Sequence, residues 1–79
     1  MATAATKASR VNAAHDVLYA AGVRWWEENG GVHWVIASTP AGRLADEVDF
    51  WPSTGTWIQR DTHLRGKGLG ELLDFLGVE

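Results

Sequence analysis

Cysteine is absent from the 79 residues, which excludes disulfide staples and thiolate metal sites. No apolar run approaches the roughly 20 residues of a membrane-spanning helix, and the N-terminus carries no apolar stretch of the signal-peptide kind. A soluble, cytoplasmic protein without a membrane partner is the expectation. Excess positive charge is also lacking. Seven Lys and Arg stand against ten Asp and Glu, for a formal net charge of −3, which argues against a broadly cationic nucleic-acid binder. Proline is scarce, and both copies, Pro40 and Pro52, fall in turn-like stretches.

What the chain has in quantity is tryptophan: Trp25, Trp26, Trp34, Trp51 and Trp57. A domain of this length buries only about 60% of the surface its unfolded chain exposes. Each buried aromatic removes about 150–250 Å² from water, so these rings can supply much of the core. Five are more than so small a core easily hides. The surplus points to a surface that meets a partner.

Read in order, residues 1–8 carry no large apolar side chain besides Met1 and are expected to be frayed or disordered, with a single domain over residues 9–79. Ser9 is a candidate N-cap for a helix over about 10–21, with Val11, Ala14, Leu18 and Ala21 as its apolar stripe and Gly22 as its terminator. Asn29-Gly30 predicts a tight hairpin within 23–36. A loop at Asn29-Gly30 sets Trp25 opposite Trp34, and a loop at Gly30-Gly31 moves the partners by two. Either register buries the same face. Arg24, Trp26, Glu28, His33 and Val35 then share the other, more polar face. Residues 44–51 alternate as a half-buried strand, Pro52–Gly55 turns, and 56–60 return antiparallel, with Phe50 opposite Trp57 and Glu47 opposite Arg60. Residues 61–68 read as a loop before a final helix from Leu69 to Leu76, whose core face is Leu69, Leu72, Leu73 and Leu76. The fold class is therefore α+β: α-β-β-β-β-α, with a four-stranded antiparallel sheet and a helix near each terminus on one of its faces.

Chemistry is expected in two places. Arg65-Gly66-Lys67-Gly68-Leu69-Gly70 joins two cations and three glycines at a helix start, where backbone N–H groups and the helix dipole favour an anion. With Arg60 and His63 just upstream, this is the candidate anion or nucleic-acid site. Trp26, His33 and Trp51, on the polar sides of their strands, form the candidate partner surface. No metal site is expected, because His15, His33 and His63 lack zinc spacing and only Glu47 and Asp49 of the acidic strand share a side. No catalytic constellation is complete, so neither enzymatic activity nor a cofactor is expected.

Three resemblances bear on these stretches. Residues 65–76 resemble the pyrophosphate-binding loop of acetyl-coenzyme A-dependent N-acetyltransferases, Arg-Gly-x-Gly-x-Gly before a leucine-rich helix. That fold continues into a further strand where this sequence stops, so acyl transfer is not the expectation. The order of elements, with Asn29-Gly30-Gly31-Val32-His33 and the basic helix start at Arg65-Gly66-Lys67, is similar to that of double-stranded-RNA-binding domains, which implies contacts to phosphates and a minor groove. More of the chain resembles small uncharacterised bacteriophage and prophage proteins. These carry an Asp-Phe-Trp-Pro-x-Thr-Gly-x-Trp hairpin, here residues 49–57, and a basic glycine-rich loop before a terminal leucine-rich helix, here 65–76. That likeness implies a phage protein acting in the cytoplasm of a bacterial host. The resulting expectation is a non-enzymatic binding module that contacts a phosphate-bearing partner, nucleic acid first. Its rival is a protein–protein module, as an inhibitor of a host factor or a homodimer, using the exposed tryptophans and the acidic strand.

Overall fold

A computed structural model describes residues 6–78. Helix α1 covers Lys7–Ala20, followed by strands β1 (Arg24–Glu28), β2 (His33–Thr39), β3 (Gly42–Trp51), β4 (Thr56–Gln59) and β5 (Arg65–Lys67), and by helix α2 (Leu69–Leu76). The strands form one antiparallel meander in chain order, β1-β2-β3-β4-β5. The α+β class holds, but the sheet has five strands where four were expected. The stretch expected to be a loop contains β5, which pairs Trp57 with Gly66 and Ile58 with Arg65. Three residues with two glycines nearby carry no alternating pattern that would announce a strand.

The first helix begins earlier than its sequence suggests. Thr6, rather than Ser9, is the N-cap, and its hydroxyl accepts from the Ser9 N–H at 3.0 Å. Lys7 and Ala8 are therefore helical, while residues 1–5 of the stretch expected to fray lie outside the described residues. At the other end the Gly22 N–H donates to Tyr19 O and the Val23 N–H to Leu18 O, the paired bonds of a Schellman stop. This stop turns the chain and drops Val23 into the core beside Leu18.

Of the two hairpin registers, the second is realised. Trp25 pairs with Ile36, Glu27 with Trp34 and Glu28 with His33. Asn29, Gly30 and Gly31 all take positive φ (55°, 70° and 90°), which the Asn-Gly-Gly run permits at low steric cost. Further along, Phe50 lies opposite Trp57, and the Arg60 N–H donates to Glu47 O at 3.1 Å, as the alternation requires.

Both helices lie on one face of the sheet. Ala14 and Leu18 of α1 and Leu72 of α2 join Val23, Trp34, Ile36, Val48, Phe50 and Trp57 in a single buried cluster. Aromatic geometry organises it. Trp34 stacks on Trp25 (centroids 5.0 Å apart, 17° between planes) and meets Phe50 edge-on at 5.9 Å, while Trp57 stacks on Phe75 at 4.6 Å. Among the described residues, no helix is long and apolar enough to cross a membrane. Among the described residues, no helix covers the opposite face of the sheet.

Candidate binding face

Strand alternation and the observed pairings arrange the uncovered face into cross-strand rows. One runs Glu28, His33, Trp51, Thr56, Lys67 from β1 to β5. The next runs Trp26, Val35, Asp49, Ile58, Arg65. Glu47 and Arg60 begin a third. Aromatic side chains thus occupy the middle and the β1 edge, and the cations Arg65 and Lys67 occupy the β5 edge.

The centre is tied together by Asp49. Its carboxylate receives Arg60 Nε at 3.1 Å on both oxygens and Arg60 Nη2 at 2.9 Å, and Oδ1 lies 2.7 Å from His33 Nε2. Arg60 Nη1 reaches Glu47 Oε1 at 2.8 Å. Partial burial pushes the Asp49 carboxyl up, but hydrogen bonds from Arg60 and His33, and their charges, outweigh it and hold the group below the ordinary carboxylate value. Arg60 is raised in turn, mainly by its hydrogen bond to Asp49. The His33 ring lies flat on Trp51, 4.8 Å between centroids and 9° between planes. Two anions and one permanent cation are therefore spent on one another, and a stacked ring pair stands beside them.

Val35 departs from its expected polar surroundings. It sits on this face yet is 0% exposed, because the flanking rows of large side chains close over a central-strand valine. Trp26, at the edge, is 42% exposed, and its Nε1 donates to Glu28 Oε2 at 2.7 Å. Arg24, Arg65 and Lys67 make no side-chain hydrogen bond or ion pair among the described residues.

The glycine-rich stretch is built differently from an open anion loop. Arg65–Lys67 is a strand whose two charged side chains point to the uncovered face, while Gly66 faces the core. A Cβ on Gly66 would collide with the Trp57 ring and the Glu71 carboxylate. Glu71, three residues after the Gly68 N-cap, accepts the Lys67 N–H at 3.0 Å, and the Gly68 N–H goes to Gly55 O at 2.9 Å. A carboxylate of the chain itself therefore lies beside the start of α2, bonded to the N–H of the residue before the N-cap. Gly70 lies within the helix, and His63 (φ 58°) sits in the β4–β5 turn. Of the residues singled out by sequence, Trp26, His33, Trp51, Arg60, Arg65 and Lys67 come together on one face; Gly66, Gly68, Gly70 and His63 do not join them. Sequence reasoning missed Asp49 as the hub. The available signal was its alternation partner Glu47, already expected opposite Arg60.

No metal-holding cluster of His, Asp and Glu occurs among the described residues. No protein-family model, no curated protein and no solved structure matches the chain.

Proposed function

We propose that this protein is a non-enzymatic binding module that takes single-stranded nucleic acid across the uncovered face of its sheet. The observation that carries the reading is the arrangement of that face. A stacked His33–Trp51 pair and an exposed Trp26 share it with Arg65 and Lys67, whose charges have no partner among the described residues. Aromatic side chains accept unstacked bases through their π-faces regardless of sequence, and cations alongside neutralise phosphates. Single strands suit a sheet face better than a duplex does, since a stacked base must leave its partner. The anion contact expected at the start of α2 moves to the β5 side chains, because the Glu71 carboxylate already lies beside that helix start and opposes a second anion there. The central carboxylates do not oppose this reading, since Arg60 and His33 hold them.

The experiment is a titration of the protein with oligo(dT) and oligo(U), followed by tryptophan fluorescence and backbone amide shifts. Binding quenches fluorescence and shifts β3, β4 and β5 most. Arg65→Ala with Lys67→Ala weakens both ligands together. Binding that survives this double change, or shifts centred on residues 68–71, would return the contact to the helix start and sink the sheet-face reading.

A further inference from the structure

The sheet has two edges, and they are unequal. β5 offers three residues, whereas β1 offers five, Arg24-Trp25-Trp26-Glu27-Glu28, as the outermost strand of the meander. An edge strand presents a row of backbone N–H and C=O groups with no neighbour. The sequence of β1 is complementary to its own reverse. Laid antiparallel on a copy of itself about Trp26, it sets Arg24 against Glu28 of the second copy, and does so twice. Trp26 then meets Trp26, and Trp25 meets Glu27. Opposed residues of an antiparallel pair share a face, so Arg24, Trp26 and Glu28 fall together on the uncovered side and the two sheets become one.

We propose that the protein forms a two-fold symmetric dimer by antiparallel pairing of β1 with β1 of a second copy. The charges this pairing would use are only partly engaged among the described residues. Arg24 has no hydrogen bond or ion pair among the described residues, and Glu28 spends only Oε2, on Trp26 Nε1. Apolar surface lines the same edge on both sides. Trp26 is 42% exposed on the open face. Beside the same edge Tyr19, 75% exposed, lies with His15 and Trp25 around an open hollow of about 590 Å³. A five-residue ladder alone buries too little for a stable dimer, and these rings supply further area next to it. A second copy is favoured over a foreign strand because the charge pattern matches itself in one register. Pairing centred on Trp25 or Glu27 leaves Arg24 without a carboxylate of its own face opposite it. The interface is isologous, so it closes at two copies. It uses the edge remote from Arg65 and Lys67 but shares Trp26 with the binding face, so the two are told apart by sedimentation without nucleic acid and by the Arg65 and Lys67 changes, which leave this edge intact.

Charge reversal tests the register. Sedimentation equilibrium without nucleic acid gives twice 8.6 kDa for the unaltered chain. Arg24→Glu alone and Glu28→Arg alone each place like charges in opposition at both ends and weaken association at least tenfold. The chain carrying both changes regains the dimer. So does an equimolar mixture of the two single variants, because each pairs oppositely with the other. Both positions are exposed, and circular dichroism confirms that each variant is folded; a variant that had unfolded would fail to recover in the mixture. A monomer at every concentration up to the millimolar range overturns the proposal and leaves the charges of β1 as guards of an unused edge. A dimer indifferent to both single reversals, or single variants that do not rescue one another, overturns it equally.

Discussion

Gly66 shows what a glycine in a basic run can be for. Its α-carbon lies against the Trp57 ring and the Glu71 carboxylate, so the missing side chain is what lets β5 and α2 close over the core. Gly66→Ala forces those groups apart and should cost about 1–3 kcal/mol, the range of overpacked interior sites. Gly70 is helical with nothing within 4 Å of its would-be Cβ. Gly70→Ala should therefore be neutral or stabilise by about 0.4–1 kcal/mol through the unfolded chain. Urea melts of the two variants check the contrast, and equal effects would mean that packing does not distinguish them. Asp49 is the other residue with a consequence of its own. Its carboxyl is held below the ordinary value, so the stability it adds is present above the unfolded-state value near 4 and is lost as pH falls through the lower folded value. Asp49→Asn should cost about 1–2 kcal/mol at pH 7, allowing for partial solvent screening. The difference from the unaltered chain should shrink towards zero as the pH is lowered below 4. A constant gap across that range would assign the loss to packing rather than to charge.

At the scale of elements, α1 depends on how well its ends are closed, and the sheet on how its rings meet. Trp34 is 1% exposed, stacked on Trp25 and edge-on to Phe50. Trp34→Ala removes all three gains and should cost about 3–5 kcal/mol, enough to unfold much of a domain this small. An unchanged melting temperature would show that the helix-covered face is not the core. Both candidate hairpin registers put Trp34 on this face, which is why the core was legible before the register was. Period-two alternation fixes which side a residue takes, and only the turn fixes its opposite number; three consecutive positive-φ residues at 29–31 settle that locally. The start of α1 was misread because Thr6 and Ser9 are both capping residues, three apart, and their mutual bonds decide which one leads. β5 was not legible at all. It exists because Trp57 and Ile58 on β4 offer a free side to any extended segment, and Arg65–Lys67 is the one that reaches it. The same tertiary pairing turned an apparent anion loop into a strand, leaving its cations on the open face and its glycine inside.

For the whole molecule, the decisive asymmetry is that both helices take one side of the sheet. A chain of net charge −3 repels a polyanion at long range, so binding must rest on local contacts. On the open face the cations that lie near the aromatic rows and make no side-chain hydrogen bond or ion pair among the described residues are Arg65 and Lys67. Two phosphates neutralised on a single strand give a slope of log K against log salt of about −1.4. Arg65→Ala should lower the slope by about 0.7. Trp51→Ala should behave differently. It breaks the stack with His33, at a cost to stability of about 0.5–1.5 kcal/mol, and leaves the helix-covered cluster untouched, since Trp51 belongs to the other face. It should weaken oligonucleotide binding by about 1–3 kcal/mol, the worth of one base–aromatic stack, with the salt slope unchanged. Fluorescence anisotropy with a labelled oligo(dT), repeated at several salt concentrations, separates the two variants. Were Trp51→Ala to flatten the slope while Arg65→Ala left it alone, the rings would be positioning the phosphates and the cations would be idle, the reverse of the arrangement argued from this face.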